Sequence, residues 1–104
     1  DKVAPEFINY VTNDANPDAE KVRVDYANYD ITVFITKDVE QSKQFILDMV
    51  HPVVKDDRDE FIASSEITFD FSKVNYDSQD EQVVTMKVMD SALNEATKDI
   101  KVKQ

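Results

Sequence analysis

Asp56, Asp57, Asp59 and Glu60 crowd into one short stretch of the chain. Such an oxygen-rich run is how a protein offers carboxylates to calcium, an ion that takes six to eight oxygens in irregular geometry. Asp90, far along the sequence, is a further oxygen donor that folding is expected to bring to the same place. The run departs from the twelve-residue calcium loop, because no glycine sits mid-loop and no glutamate closes it at the twelfth position. Calcium is therefore the one cofactor the residues suggest, with Asp56, Asp57, Asp59 and Asp90 as its ligands; the competing account is a solvated acidic loop. A second acidic patch, Asp77, Asp80 and Glu81, reads as a polar hairpin turn.

Other chemistry is thinly supplied. The chain has no cysteine and one histidine, which excludes disulfides, thiolate nucleophiles and multi-histidine metal centres. His51 precedes Pro52 and lacks an evident partner for base catalysis, so it is expected to end a helix. Ser64, Ser65 and Ser72 stand outside any nucleophile elbow. Carboxylates are abundant, yet only Asp70, between Phe69 and Phe71, has an apolar surround, and a general acid needs a cleft to raise its pKa. The expectation is that the chain is not an enzyme. Tyr29 and Tyr76 fall near loops and combine flat apolar area with a hydroxyl, which makes them the candidates for contact with a sugar or a protein partner.

The 104 residues are enough for one small core, and 41% hydrophobic against 33% charged residues describe a folded domain, expected to span 1–104 with 1–5 as an inter-domain linker. Twelve lysines and arginines against 22 aspartates and glutamates give a net charge of −10, which repels nucleic acid and anionic lipid. The apolar runs are far shorter than the roughly 18 to 20 residues of a membrane helix, so no membrane insertion is expected. With no initiator methionine and no leader pattern, the chain reads as a segment of something longer.

Strict alternation marks strands at Val22-Val24-Tyr26, Ile31-Val33-Ile35, Ile67-Phe69-Phe71, Val84-Met86-Val88 and Ile100-Val102, with a shorter edge strand from Phe7 to Val11. Val39, Ser42, Phe45, Ile46, Met49, Val50 and Val53 recur instead at helical spacing, with Asp38 and Gln41 as a capping box and Pro52 as the stop. The stretch 12–20 reads as a long loop. The absence of glycine leaves the left-handed turn positions to asparagine, with Asn94 expected to reverse the chain before the last strand. These elements predict a mainly-β fold, a sandwich of about six to seven strands with one inserted short α-helix. The alternative is an α+β fold, a β-grasp or cystatin-like sheet over one helix.

Three segments resemble a bacterial immunoglobulin-like repeat of the kind strung along cell-wall-anchored surface proteins of Gram-positive bacteria. They are the opening Asp1-Lys2-Val3-Ala4-Pro5-Glu6-Phe7-Ile8, the acidic stretch from Val54 to Ile62, and Asp90-Ser91-Ala92-Leu93-Asn94-Glu95-Ala96-Thr97 running into Lys98-Asp99-Ile100-Lys101-Val102. The last is similar to the family's "Asp-x-Ala-Gly-Asn-x-Ala-Thr" hairpin. Leu93 and Glu60 stand where the family has glycine, Asp80-Glu81-Gln82 replaces its Gly-Thr-Tyr strand start, and 9–30 match poorly.

The resemblance implies an immunoglobulin-like sandwich with its termini at opposite ends. It also implies a non-catalytic extracellular module, cell-wall-anchored or secreted, that acts as stalk or adhesion domain. Its partners would be neighbouring domains of the same chain and a host or matrix protein or glycan. The alternative is an accessory ligand- or protein-binding domain of a secreted or wall-bound enzyme.

Overall fold

The computed structural model describes residues 3–13, 22–56, 58 and 60–104. The chain is mainly β, with one α-helix. Its strands are β1 (Glu6–Ile8), β2 (Tyr10–Asn13), β3 (Val22–Tyr26), β4 (Thr32–Phe34), β5 (Val53–Lys55), β6 (Phe61–Ile62), β7 (Thr68–Asp70), β8 (Gln82–Met89) and β9 (Glu95–Lys103); α1 (Val39–Val50) lies between β4 and β5. A 3-10 turn, Ser64–Glu66, precedes β7. The strands form a three-stranded sheet in the order β1-β5-β6, a four-stranded sheet in the order β4-β9-β8-β7, and a two-stranded ribbon of β2 and β3. Two sheets with one inserted helix are compatible with a β-sandwich.

Alternation does what the sequence predicts in the four-stranded sheet. Val84, Met86 and Val88 on β8 and Ile100 and Val102 on β9 are buried, as are Val33 beside β9 and Ile67 and Phe71 around β7. The lower-lying partners Val83, Thr85, Lys87 and Met89 face the other side, paired with Lys101, Asp99, Thr97 and Glu95. β8 and β9 form a long antiparallel hairpin, whereas β4 runs parallel to β9, with Val33 beside Val102. The three-stranded sheet adds Val53 and Val54 to the same core.

Asp38 caps α1 as its position predicts: its carboxylate accepts from the Gln41 N–H at 3.1 Å. The reciprocal bond of a capping box is made by another residue, since the Asp38 N–H donates to the Thr36 hydroxyl and the Gln41 side chain pairs with that same hydroxyl. Ser42, fully buried, donates to the Thr36 carbonyl at 3.0 Å and accepts from the Thr36 N–H at 2.9 Å, so its burial leaves no polar group unmatched. The helix buries a narrower stripe than its periodicity suggests. Ser42, Ile46 and Val50 face the core, while Val39, Phe45 and Met49 are exposed. Phe45 and Met49 are thereby corrected from core to surface.

His51 ends α1 in the left-handed conformation at φ 52°, its N–H donating to the Leu47 carbonyl, and Pro52 bars any continuation. The other positive φ belongs to Leu93, at 67°. Among the described residues no asparagine takes a left-handed turn position, so that expectation is corrected at Asn94. In the β8–β9 turn the residue before Asn94 makes the reversal, because Asn94 is held in the ladder side of the loop by its bonds to Asp90. A leucine there costs roughly 1 kcal/mol in steric conflict between Cβ and the following carbonyl. Leu93→Asn is expected to raise the stability by about 0.5–1 kcal/mol, read as a higher urea midpoint; an unchanged or lower midpoint would show that the turn does not strain this residue.

Among the described residues, no helix is long and apolar enough to cross a membrane. Pro5, at the edge of the expected linker, is buried, while Val3 and Ala4 are exposed.

Candidate functional site

The β5–β6 and β8–β9 connections share one design. In the first, the Asp56 carboxylate accepts from the N–H groups of Arg58 and Glu60 at 2.8 and 2.9 Å, and the Asp56 N–H donates to the Glu60 carbonyl. In the second, Asp90 accepts from the N–H groups of Ala92 and Asn94, both at 2.9 Å, and its own N–H donates to the Asn94 carbonyl. Each loop is thus closed by an aspartate at its first position, which takes up the amides two and four residues on. Asp90 is further held by the Asn94 side-chain amide at 3.0 Å. That bond, assisted by the two backbone amides, keeps the Asp90 carboxyl below its ordinary value.

The two loops lie at the same end of the molecule and enclose an open depression of about 470 Å³, lined among others by Asp56, Arg58, Glu60, Glu66, Met89 and Asp90. The structure therefore brings Asp56 and Asp90 to one place, as the sequence suggests. Asp57 and Asp59 lie outside the described residues. Among the described residues, no three histidine, cysteine, aspartate or glutamate side chains gather as a group that could hold a metal ion. The calcium candidates Asp56 and Asp90 have a structural occupation in closing their loops. Thermal unfolding in excess calcium and in chelator, at one ionic strength, tests the four candidates: a shift of several degrees would show a calcium site, and superimposed curves would remove it.

Against the other side of Met89 lies a second hollow, of about 490 Å³, lined by Glu66, Thr68, Lys87, Met89, Asp90 and Leu93. Glu66, Met89 and Asp90 belong to both. Met89 and Leu93 are exposed, Leu93 to 73%. Lys87, the one cation of this second hollow, is 3.7 Å from Glu95. Sequence reasoning passed over Glu66, Met89 and Leu93 as site residues. The available signal was Leu93 itself, an apolar side chain at a turn position that glycine would fill at no steric cost.

The tyrosines are placed differently from expectation. Tyr29 is buried, its ring edge-on to Phe7 at 6.2 Å and beneath the Lys98 ammonium at 5.2 Å. Its hydroxyl donates to the Ile8 carbonyl at 2.7 Å and accepts from the Val53 N–H at 3.1 Å. It is a core residue that ties β1 to β5, and its assignment as a contact for sugar or protein is corrected. Tyr76 packs against the core with its hydroxyl buried and without a hydrogen-bond partner among the described residues, so its hydroxyl too is not presented at the surface.

The remaining candidates are turn residues. Asp70 accepts from both the hydroxyl and the N–H of Ser72, and that hydroxyl above all lowers its pKa, opposite to the shift a general acid requires. His51 and Ser64 share a hollow of about 200 Å³ with Leu47 and Pro52, a lining that supplies no carboxylate to orient the imidazole. The Asp77, Asp80 and Glu81 patch forms the expected turn: Asn75 accepts from the Asp77 N–H, Ser78 from the Asp80 N–H, and Glu81 from the Thr32 hydroxyl.

No protein-family model matches the chain, and neither a curated protein nor a solved structure does.

Proposed function

We propose that the chain is an immunoglobulin-like, non-catalytic extracellular module of a bacterial surface protein, cell-wall-anchored or secreted, working as a stalk or adhesion domain joined in series to its neighbours. One observation carries this reading, the placement of the two chain ends. Glu6 of β1 pairs with Lys55, next to the Asp56 loop, so the chain enters at the end that holds the two aspartate loops. Gln104 bonds the carbonyls of Ser78 and Asn75, in the turn that precedes β8, and so lies at the opposite end of that strand. A chain that enters at one end of its sheets and leaves at the other transmits position along its length.

The chemistry points the same way. The Asp56, Asp70 and Asp90 carboxylates close turns, and the charge of −10 favours solubility and keeps neighbouring copies apart. Two copies joined directly, Gln104 to Asp1, should give a maximum dimension by small-angle scattering close to twice that of one copy. A pair that folds back to a compact particle would overturn the serial arrangement.

A further inference from the structure

The two hollows share Glu66, Met89 and Asp90 in their linings and so adjoin as one trough, in which Met89, Leu93 and Ile62 are apolar among acidic neighbours. We propose that this trough docks an extended basic polypeptide segment, with Met89 and Leu93 receiving its apolar side chains and Glu60 and Glu66 facing its lysines or arginines. The proposal rests on the adhesion half of the function proposed above and names the chemistry of the partner.

Three observations select this occupant. The first is charge. Among the described residues, Asp56, Glu60, Glu66 and Asp90 line the depression against one cation, Arg58, and Lys87 in the adjoining hollow stands beside Glu95. With a net charge of −10 behind it, the trough attracts a cationic partner and repels an anionic glycan, a nucleic acid or a second copy of the chain. The second is the apolar floor. Met89 is 45% and Leu93 73% exposed, and Ile62 adds to the lining, so a purely ionic partner would leave this surface in water. The third is shape. Two open hollows of about 470 and 490 Å³ lie side by side and share residues, which suits successive side chains of one extended segment better than one compact ligand.

Glu60 and Glu66 are both exposed, and Glu60 enters its loop's closure through backbone atoms, so its carboxylate can be altered without opening the loop. Leu93→Asn removes an apolar contact while easing the turn.

The test uses a labelled twelve-residue peptide of repeated Lys-Leu-Ser, read by fluorescence anisotropy at physiological salt. Two counterparts accompany it, one with serine for every leucine and one with glutamate for every lysine. The Lys-Leu-Ser peptide should bind, roughly tenfold more tightly than the leucine-free one, and the glutamate peptide should not bind. Glu60→Gln with Glu66→Gln should weaken binding roughly tenfold, and Leu93→Asn severalfold while stabilising the fold. Asp77→Asn with Asp80→Asn changes the net charge equally at the far end of β8 and should alter binding less than about twofold.

Equal binding of the leucine-free peptide would overturn the apolar floor, and an equal loss in the far-end pair would reduce the effect to general charge. Absence of binding by all three peptides would remove the trough as a docking site. None of these outcomes touches the serial arrangement, which the joined copies test separately.

Discussion

Ile46→Ala should destabilise the protein by about 2–5 kcal/mol, because it deletes three carbons from a fully buried position that the neighbouring strands cannot collapse to fill. For a domain of this size the total stability is about 5–15 kcal/mol, so the loss is a large share of it and should lower Tm by about eight degrees or more at about 4–8 °C per kcal/mol. Phe45→Ala, one residue earlier, is the informative contrast. Phe45 lies on the exposed flank of α1, and its truncation should cost well under half as much despite the larger side chain. Paired urea titrations decide the matter: comparable losses at the two positions would mean that α1 turns a different face to the sheets.

The second large effect belongs to Tyr29. Tyr29→Phe keeps the ring against Phe7 and removes only the hydroxyl, which leaves the Ile8 carbonyl and the Val53 N–H without that partner in a buried setting. The expected cost is about 1–3 kcal/mol, set by the desolvation of the orphaned groups and not by the modest net worth of a hydrogen bond. It should be accompanied by faster amide exchange at Val53 than at Val84, whose strand is held independently of Tyr29. An unchanged midpoint with unchanged exchange at Val53 would show that the hydroxyl does not hold β1 to β5.

Where one face of an element is buried and the other is wet, the sequence announces it. β8 and the second half of β9 alternate, so their facing could be read residue by residue, whereas the start of β9 at Glu95 falls in what the sequence reads as the turn; the cap at Asp38 and the stop at Pro52 bracketed α1 correctly. β5 was illegible for the opposite reason. Val53 and Val54 are buried side by side, which erases the period of two and lets Val53 pass for the last residue of the helical stripe. β6, two residues long, carries no period at all. The outward turn of Phe45 and Met49 escaped because hydrophobic spacing fixes the helix but not how wide a stripe its neighbours cover.

At the site, residue type led to Asp56 and Asp90 but suggested a ligand where the backbone had a prior claim. A carboxylate followed by open amides two and four residues on closes a loop, and in both loops one carboxylate oxygen takes up those amides. Leu93 was visible as the residue in a glycine's place, yet only the structure sets it beside Met89 and Glu66.

The parallel pairing of β4 with β9 has a kinetic meaning. β9 is the last strand in the chain and a central one in its sheet, flanked by β4 and β8, and it supplies Ile100 and Val102 to the core. Its pairing with β8 is local and can form early, but β4 must wait for a partner about two thirds of the chain away. A chain that emerges N-terminus first therefore cannot complete the four-stranded sheet until β9 is free. Until then β4 offers an unpaired edge, so this sheet closes in one step once β9 is available instead of strand by strand.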